Sequence, residues 1–212
     1  MQKKWVKQSK ELYCGHEHMN ATISKHAFLT MLTSCIEVYK KEAMGIILGE
    51  THRKHYKVTD ALTYTSAERG YMGVKVSAKK IHDIDYVINH VTRSNVLGFF
   101  HSHPDYPDHL SGLDKEEHLQ EQLPLQILVV VKRTTKPHQW SFHHDLSISG
   151  SIGRRYFIKM IAYMYEKKKK SICSIKIVCP FLRTMNALET LHNHINKSLN
   201  RNNNRHKKGN KN

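Results

Sequence analysis

His101 and His103 stand one residue apart in the stretch GFFHSHPDYPDHLSGLD, residues 98–114. In an extended segment alternate side chains share a face, so the two imidazoles can converge on one ion while Ser102 points away. Pro104 stops the strand and helps fix the exit path. A third ligand must return from elsewhere. Asp114 follows His103 by eleven residues, far enough for a loop to bring it back. Two neutral imidazoles and one carboxylate leave one tetrahedral position of a zinc ion for water, which is the pattern of a catalytic site. Such an ion draws the pKa of water towards neutrality. Hydrolysis also needs a base. Glu42 stands just ahead of the apolar run AMGIILG. If that strand lies beside VLGFF, its carboxylate can face the ion; burial and a nearby cation then shift its pKa in opposite directions.

Each of these residues also has a plainer explanation. Ser111-Gly112-Leu113-Asp114 is an S-x-x-D capping signal for a following helix. Glu42 beside Lys40 and Lys41 suits a surface charge, and in a chain with 17 histidines close pairs arise by chance. The argument rests on the combination. Asp105 offers a rival metal reading, because HSHPDY is similar to the H-x-H-x-D-H motif of two-metal, metallo-β-lactamase-type hydrolases. Tyr106 occupies the last position of that motif and cannot replace its histidine. Asp105 and Asp108 read instead as turn residues, given their Pro and Tyr neighbours. His109 and His118 are possible substitutes for ligands but read as exposed or helix-surface residues.

The elements that must position this group follow from periodicity. Ala27, Phe28, Met31, Leu32, Cys35, Ile36 and Tyr39 recur at three- and four-residue steps and predict a helix, with Ser24 or Thr22 as its cap. Met44 to Leu48 is a buried strand and YKVTDALTYT a second. Ile81, Ile84, Ile88 and Val91 share a helical face, with Ser77 as a cap. VLGFF is a buried strand that runs straight into the histidines. DKEEHLQEQL has helical propensity and Pro124 ends it. LQILVVV is a core strand, and QWSFHH its expected partner. The pairs Tyr156/Phe157, Met160/Ile161 and Met164/Tyr165 predict a helix over 154–166. A short strand follows the lysine run at 167–170, and Met185, Leu188, Leu191 and Ile195 mark a last amphipathic helix over 183–199. The order predicts an α/β sandwich, a mixed β-sheet flanked by helices. Residues 1–20 read as a polar arm, 21–150 as the catalytic domain, 151–199 as a helical extension and 200–212 as a disordered basic tail, since the last segment has nothing to bury.

The bulk properties narrow the setting. The formal net charge of +16 over 212 residues favours solubility and acidic partners but does not determine a fold. Nucleic acid is one such partner for the basic tail, although no aromatic residue after Phe181 is present to stack on bases. The four cysteines form no C-x-x-C pair and are too few for a disulfide framework, which fits a reducing, cytoplasmic setting. No apolar run reaches the roughly 18 residues of a membrane span, and the N-terminus lacks the apolar core of a secretion signal.

The pattern E-x(n)-H-S-H-P-x(6)-S-x-x-D, here Glu42, His101-Ser102-His103-Pro104, Ser111 and Asp114, resembles that of the JAMM, or MPN-plus, zinc metalloproteases. EAMGIILGE is similar to the family's glutamate-bearing strand start, E-x-x-G-x-L-x-G, through Gly45, Leu48 and Gly49. The resemblance covers roughly residues 24–145. It implies a cytidine-deaminase-like sandwich and one zinc per chain on His101, His103 and Asp114. It implies that Glu42 moves the proton of the attacking water and that Ser111 bonds the developing oxyanion. The implied substrates are conjugates of ubiquitin or a ubiquitin-like protein, cut at the amide joining its C-terminus to a lysine or another amine. Pairing with another MPN protein, as homo- or heterodimer, is a family habit. The alternatives are a non-catalytic MPN scaffold, which would normally have lost its ligands, and a basic nucleic-acid-associated protein.

Overall fold

The computed structural model describes residues 19–53, 55–69, 74–188, 190–191 and 195. The arms expected over 1–20 and 200–212 therefore lie almost wholly outside the described residues. The first described strand, β1 (Asn20–Ile23), leads into α1 (Lys25–Glu37). Ser24 caps that helix, its Oγ accepting from Ala27 N at 3.0 Å. β2 (Met44–His52) and β3 (His55–Thr63) form a hairpin, and a small ribbon, β4 (Glu68–Arg69) with β5 (Val74–Lys75), precedes α2 (Ala78–Val91). Then come β6 (Asn95–Pro104), α3 (Gly112–Glu121), β7 (Leu125–Arg133), β8 (Ser141–Phe142), β9 (Ile148–Ile152), β10 (Tyr156–Glu166) and β11 (Ser171–Val178).

Nine strands make one mixed sheet in the order β11-β1-β3-β2-β6-β7-β10-β9-β8. β11 pairs with β1 on one side and with β10 on the other, so seven strands close into a ring. Inside lies the main core. Ala27, Phe28, Met31, Leu32 and Cys35 of α1 pack there against Ile127, Val129 and Val131 of β7 and Ile158, Met160 and Met164 of β10. Alternation along the strands puts Leu128 and Val130 on the outer face with Leu110, Ile161 and Tyr163. α2 covers a second outer cluster through Ile88, while Val91 of its expected apolar face is 80% exposed.

The helix expected over 154–166 is a strand. Apolar residues four apart suit a helix, but four is also a multiple of two, and β10 is buried on both faces. With β11 it belongs to the main sheet, so the expected helical extension from 151 is corrected to strands as far as Val178. Helix begins only at residue 182. No helix among the described residues is long and apolar enough to cross a membrane.

One irregularity governs the site. β2 and β6 run antiparallel with Ile47 opposite Gly98, but the register shifts to Leu48 opposite Val96, so Leu97 is an extra residue on β6. The bulge lets Leu97 enter the main core while Val96 and Phe99 lie on the outer side. Gly98 has φ of +156°, and a Cβ there would lie 1.6 Å from the Leu125 carbonyl oxygen. Beyond the bulge Phe100 points inward, and His101 and His103 emerge on the outer face.

Candidate metal centre

The centre is built from the end of β6, the start of β2 and the first turn of α3. His101 and His103 are both 6% exposed. Between them Ser102 points to the opposite side. Its Oγ accepts from Ala43 N at 2.8 Å and its N–H donates to the Ala43 carbonyl at 2.9 Å. Those bonds fasten the chain just after Glu42 to the histidine strand. Met44 pairs with His101, and continuing that antiparallel register sets Glu42 opposite His103, on the same face as both imidazoles. Behind this clasp Cys35 is buried, and burial pushes its thiol pKa up to about 12, with the Ser102 hydroxyl opposing the shift. Cys35 and Cys179 are free thiols.

Asp114 arrives on α3. It is the N3 residue of a full capping box: Ser111 N–H donates to Asp114 Oδ2 at 2.6 Å, and Asp114 N–H donates to Ser111 Oγ at 3.1 Å. The expected capping box is present, and the carboxylate that forms it is the one expected to serve as a ligand. Asp114 Oδ1 lies 3.4 Å from His101 Nε2 and Oδ2 lies 3.4 Å from His103 Nε2. The two Nε2 atoms are 3.3 Å apart. A tetrahedral zinc with ligands at about 2.0–2.1 Å has edges of roughly 3.3–3.4 Å. The two imidazole nitrogens have that separation and each lies about as far from a different oxygen of Asp114, so the donor set suits such an ion in chemistry and is close to it in spacing. Among the described residues these three form the group whose ligand atoms lie within 4.8 Å of one another.

The electrostatics agree. Burial alone would raise the Asp114 pKa, but the hydrogen bonds and charges of His101 and His103 hold it well below the usual carboxylate range. Burial works against the protonated form of His103, yet Asp114 and the Pro107 carbonyl outweigh it and raise its pKa. His103 Nδ1 faces that carbonyl at 3.0 Å, which places the ring proton on Nδ1 and turns the Nε2 lone pair to the centre. Glu42 is raised above its ordinary value, chiefly by burial and against the pull of His101 and His103.

Asp105 does not join the group. It is exposed at φ of 59°, and its Oδ2 accepts from Tyr39 OH at 2.6 Å. Asp108 binds Lys159 Nζ at 2.7 Å, as does Asp145, which ties the loop after His103 to β10. His109 is exposed as expected. His118 is not: it is fully buried beneath α3, edge-on to Phe99, and burial lowers its pKa. Gln126, also fully buried, lies 3.3 Å from His101 Nδ1. His118 was weighed from sequence only as a substitute ligand, and Gln126 not at all. The available signal was a polar residue inside the apolar run LQILVVV.

Residues 16–124 of the 212 match the family described as JAB1/Mov34/MPN/PAD-1 ubiquitin protease. The chain belongs to this family. The fold is similar to the solution structure of protein DSY2949 from Desulfitobacterium hafniense, with a TM-score of 0.51 and 15% identity, over 75% of this chain and 92% of that one. Comparison with curated proteins gives no match.

Proposed function

We propose that this protein is a zinc-dependent isopeptidase that hydrolyses the amide between the C-terminus of a ubiquitin-like protein and a lysine or other amine. The observation that carries the reading is the convergence of His101, His103 and Asp114, whose ligand atoms lie within 4.8 Å of one another, with Glu42 set on their face when the β2–β6 register is continued. His101, His103 and Asp114 would hold the ion. Zinc bound there would supply Lewis acidity and lower the pKa of water. Glu42, its pKa raised by burial, is suited to take a proton from the attacking water and pass it to the departing amine. Ser111 Oγ uses a lone pair to accept from Asp114 N–H, and its hydroxyl proton remains to donate to a developing oxyanion.

The test is incubation with conjugates of candidate ubiquitin-like modifiers, with and without a chelator. Cleavage that stops in chelator and returns with zinc is the expected result. Zinc should copurify at about one per chain, and His103→Ala should abolish it. Metal content unaffected by that substitution would remove the assignment. Full zinc binding without cleavage of any conjugate would favour a scaffold.

A further inference from the structure

His118 Nε2 lies 3.0 Å from the Leu123 carbonyl oxygen. A carbonyl only accepts, so the proton of the neutral ring sits on Nε2 and Nδ1 is a bare acceptor. The Gln126 carboxamide lies beside this ring. Its Nε2 is turned to His101 Nδ1 at 3.3 Å. In that orientation His118 Nδ1 and Gln126 Oε1 are both buried without a hydrogen-bond partner. Buried polar atoms in this condition are rare and call for an explanation.

We propose that Gln126 is a positioning residue for His101, holding its ring in the tautomer a metal ion requires, and that His118 sets the direction of Gln126. The proposal rests on the metal-centre reading above. A ligand bond from His101 Nε2 uses the lone pair of that atom, so Nδ1 must carry the proton and donate. The amide must then offer Oε1. A half-turn of the carboxamide, which exchanges two ends of nearly equal size, presents that oxygen. The same half-turn sends Nε2–H towards His118 Nδ1, the acceptor that lacks a donor. One rotation therefore completes a chain: His101 Nδ1–H to Gln126 Oε1, Gln126 Nε2–H to His118 Nδ1, and His118 Nε2–H to the Leu123 carbonyl. His103 reaches its tautomer by a shorter route, through the Pro107 carbonyl. Gln126 and His118 act through His101.

Zinc affinity measured by competition with a chromophoric chelator tests this, using the full chain and the Gln126→Met variant. The variant should bind zinc roughly 10- to 100-fold more weakly, the usual cost of losing an outer partner of a ligand. A purely structural role would instead move the melting temperature in chelator and leave the affinity alone. Affinity within about twofold of wild type would overturn the proposal. No zinc binding by the wild type would remove the centre and the relay together, whereas binding indifferent to Gln126 would remove the relay alone. Nitrogen NMR of the zinc-loaded wild type needs no substitution. It should find the His101 proton on Nδ1 and the His118 proton on Nε2; a His118 proton on Nδ1 would overturn the chain.

Discussion

Asp114 closes the capping box of α3 and is also one of three groups that could hold a metal, and under the proposed function Ser111 would likewise serve twice. Its hydroxyl caps α3, so Ser111→Ala should cost about 1 kcal/mol of stability, read by thermal unfolding. If it also steadies an oxyanion, kcat should fall by about a hundredfold to a thousandfold, far beyond what a loosened cap explains. Glu42→Gln separates proton transfer from metal binding. Zinc content should persist while turnover drops by about a hundredfold or more, and retained turnover would move the base elsewhere. The convergence of His101 and His103 was legible in sequence from alternation along a strand, whereas Asp114 was a candidate through its separation from His103 and the family resemblance, with its capping signal as the competing explanation. Gln126 and His118 were not legible. They lie on different elements, and their proximity exists only once α3 packs over β7.

At the scale of elements, the bulge in β6 decides which way the histidines point. Residues before and after it are out of phase, so a regular strand from Leu97 would turn both imidazoles into the main core. Gly98→Ala should therefore destabilise the protein by roughly 3 kcal/mol, the upper range for overpacking, because the added methyl meets backbone. Denaturant unfolding measures it. Short unbroken apolar runs located β2, β6 and β7 and three- and four-residue steps located α1, but the apolar pairs four apart in β10 imitate a helix and caused its misassignment. Lys159 of β10 also anchors the loop that leads to α3. Its bond to Asp108 lowers that carboxyl's pKa, and it outweighs the burial that would raise Asp145. Groups with lowered folded pKa values stabilise above the unfolded value, here 3.8, and that contribution is lost as pH falls through the folded values. Lys159→Met should lower the melting temperature near neutrality and flatten its decline below about pH 3.8. An unchanged acid limb would show that the pairings contribute nothing.

Over the whole molecule, the family match ends at residue 124, but the sheet does not. β7, β10 and β11 complete it, and β11 bridges β10 to β1. A chain stopped after Glu166 would leave β1 and the far half of β10 with open edges. It should lose cooperative unfolding, which circular dichroism on heating would reveal; a sharp transition would mean that the ring is dispensable. The mixed α/β class was legible from the order of elements, but ring closure was not, since a parallel pairing between the first described strand and the last leaves no local signature. That pairing also orders events during synthesis. Every group of the metal centre leaves the ribosome well before the strand that seals the sheet, so a growing polypeptide has its complete chemistry on board yet no finished scaffold to aim it. On the proposed function, hydrolysis would therefore have to await the closing of the ring by β11.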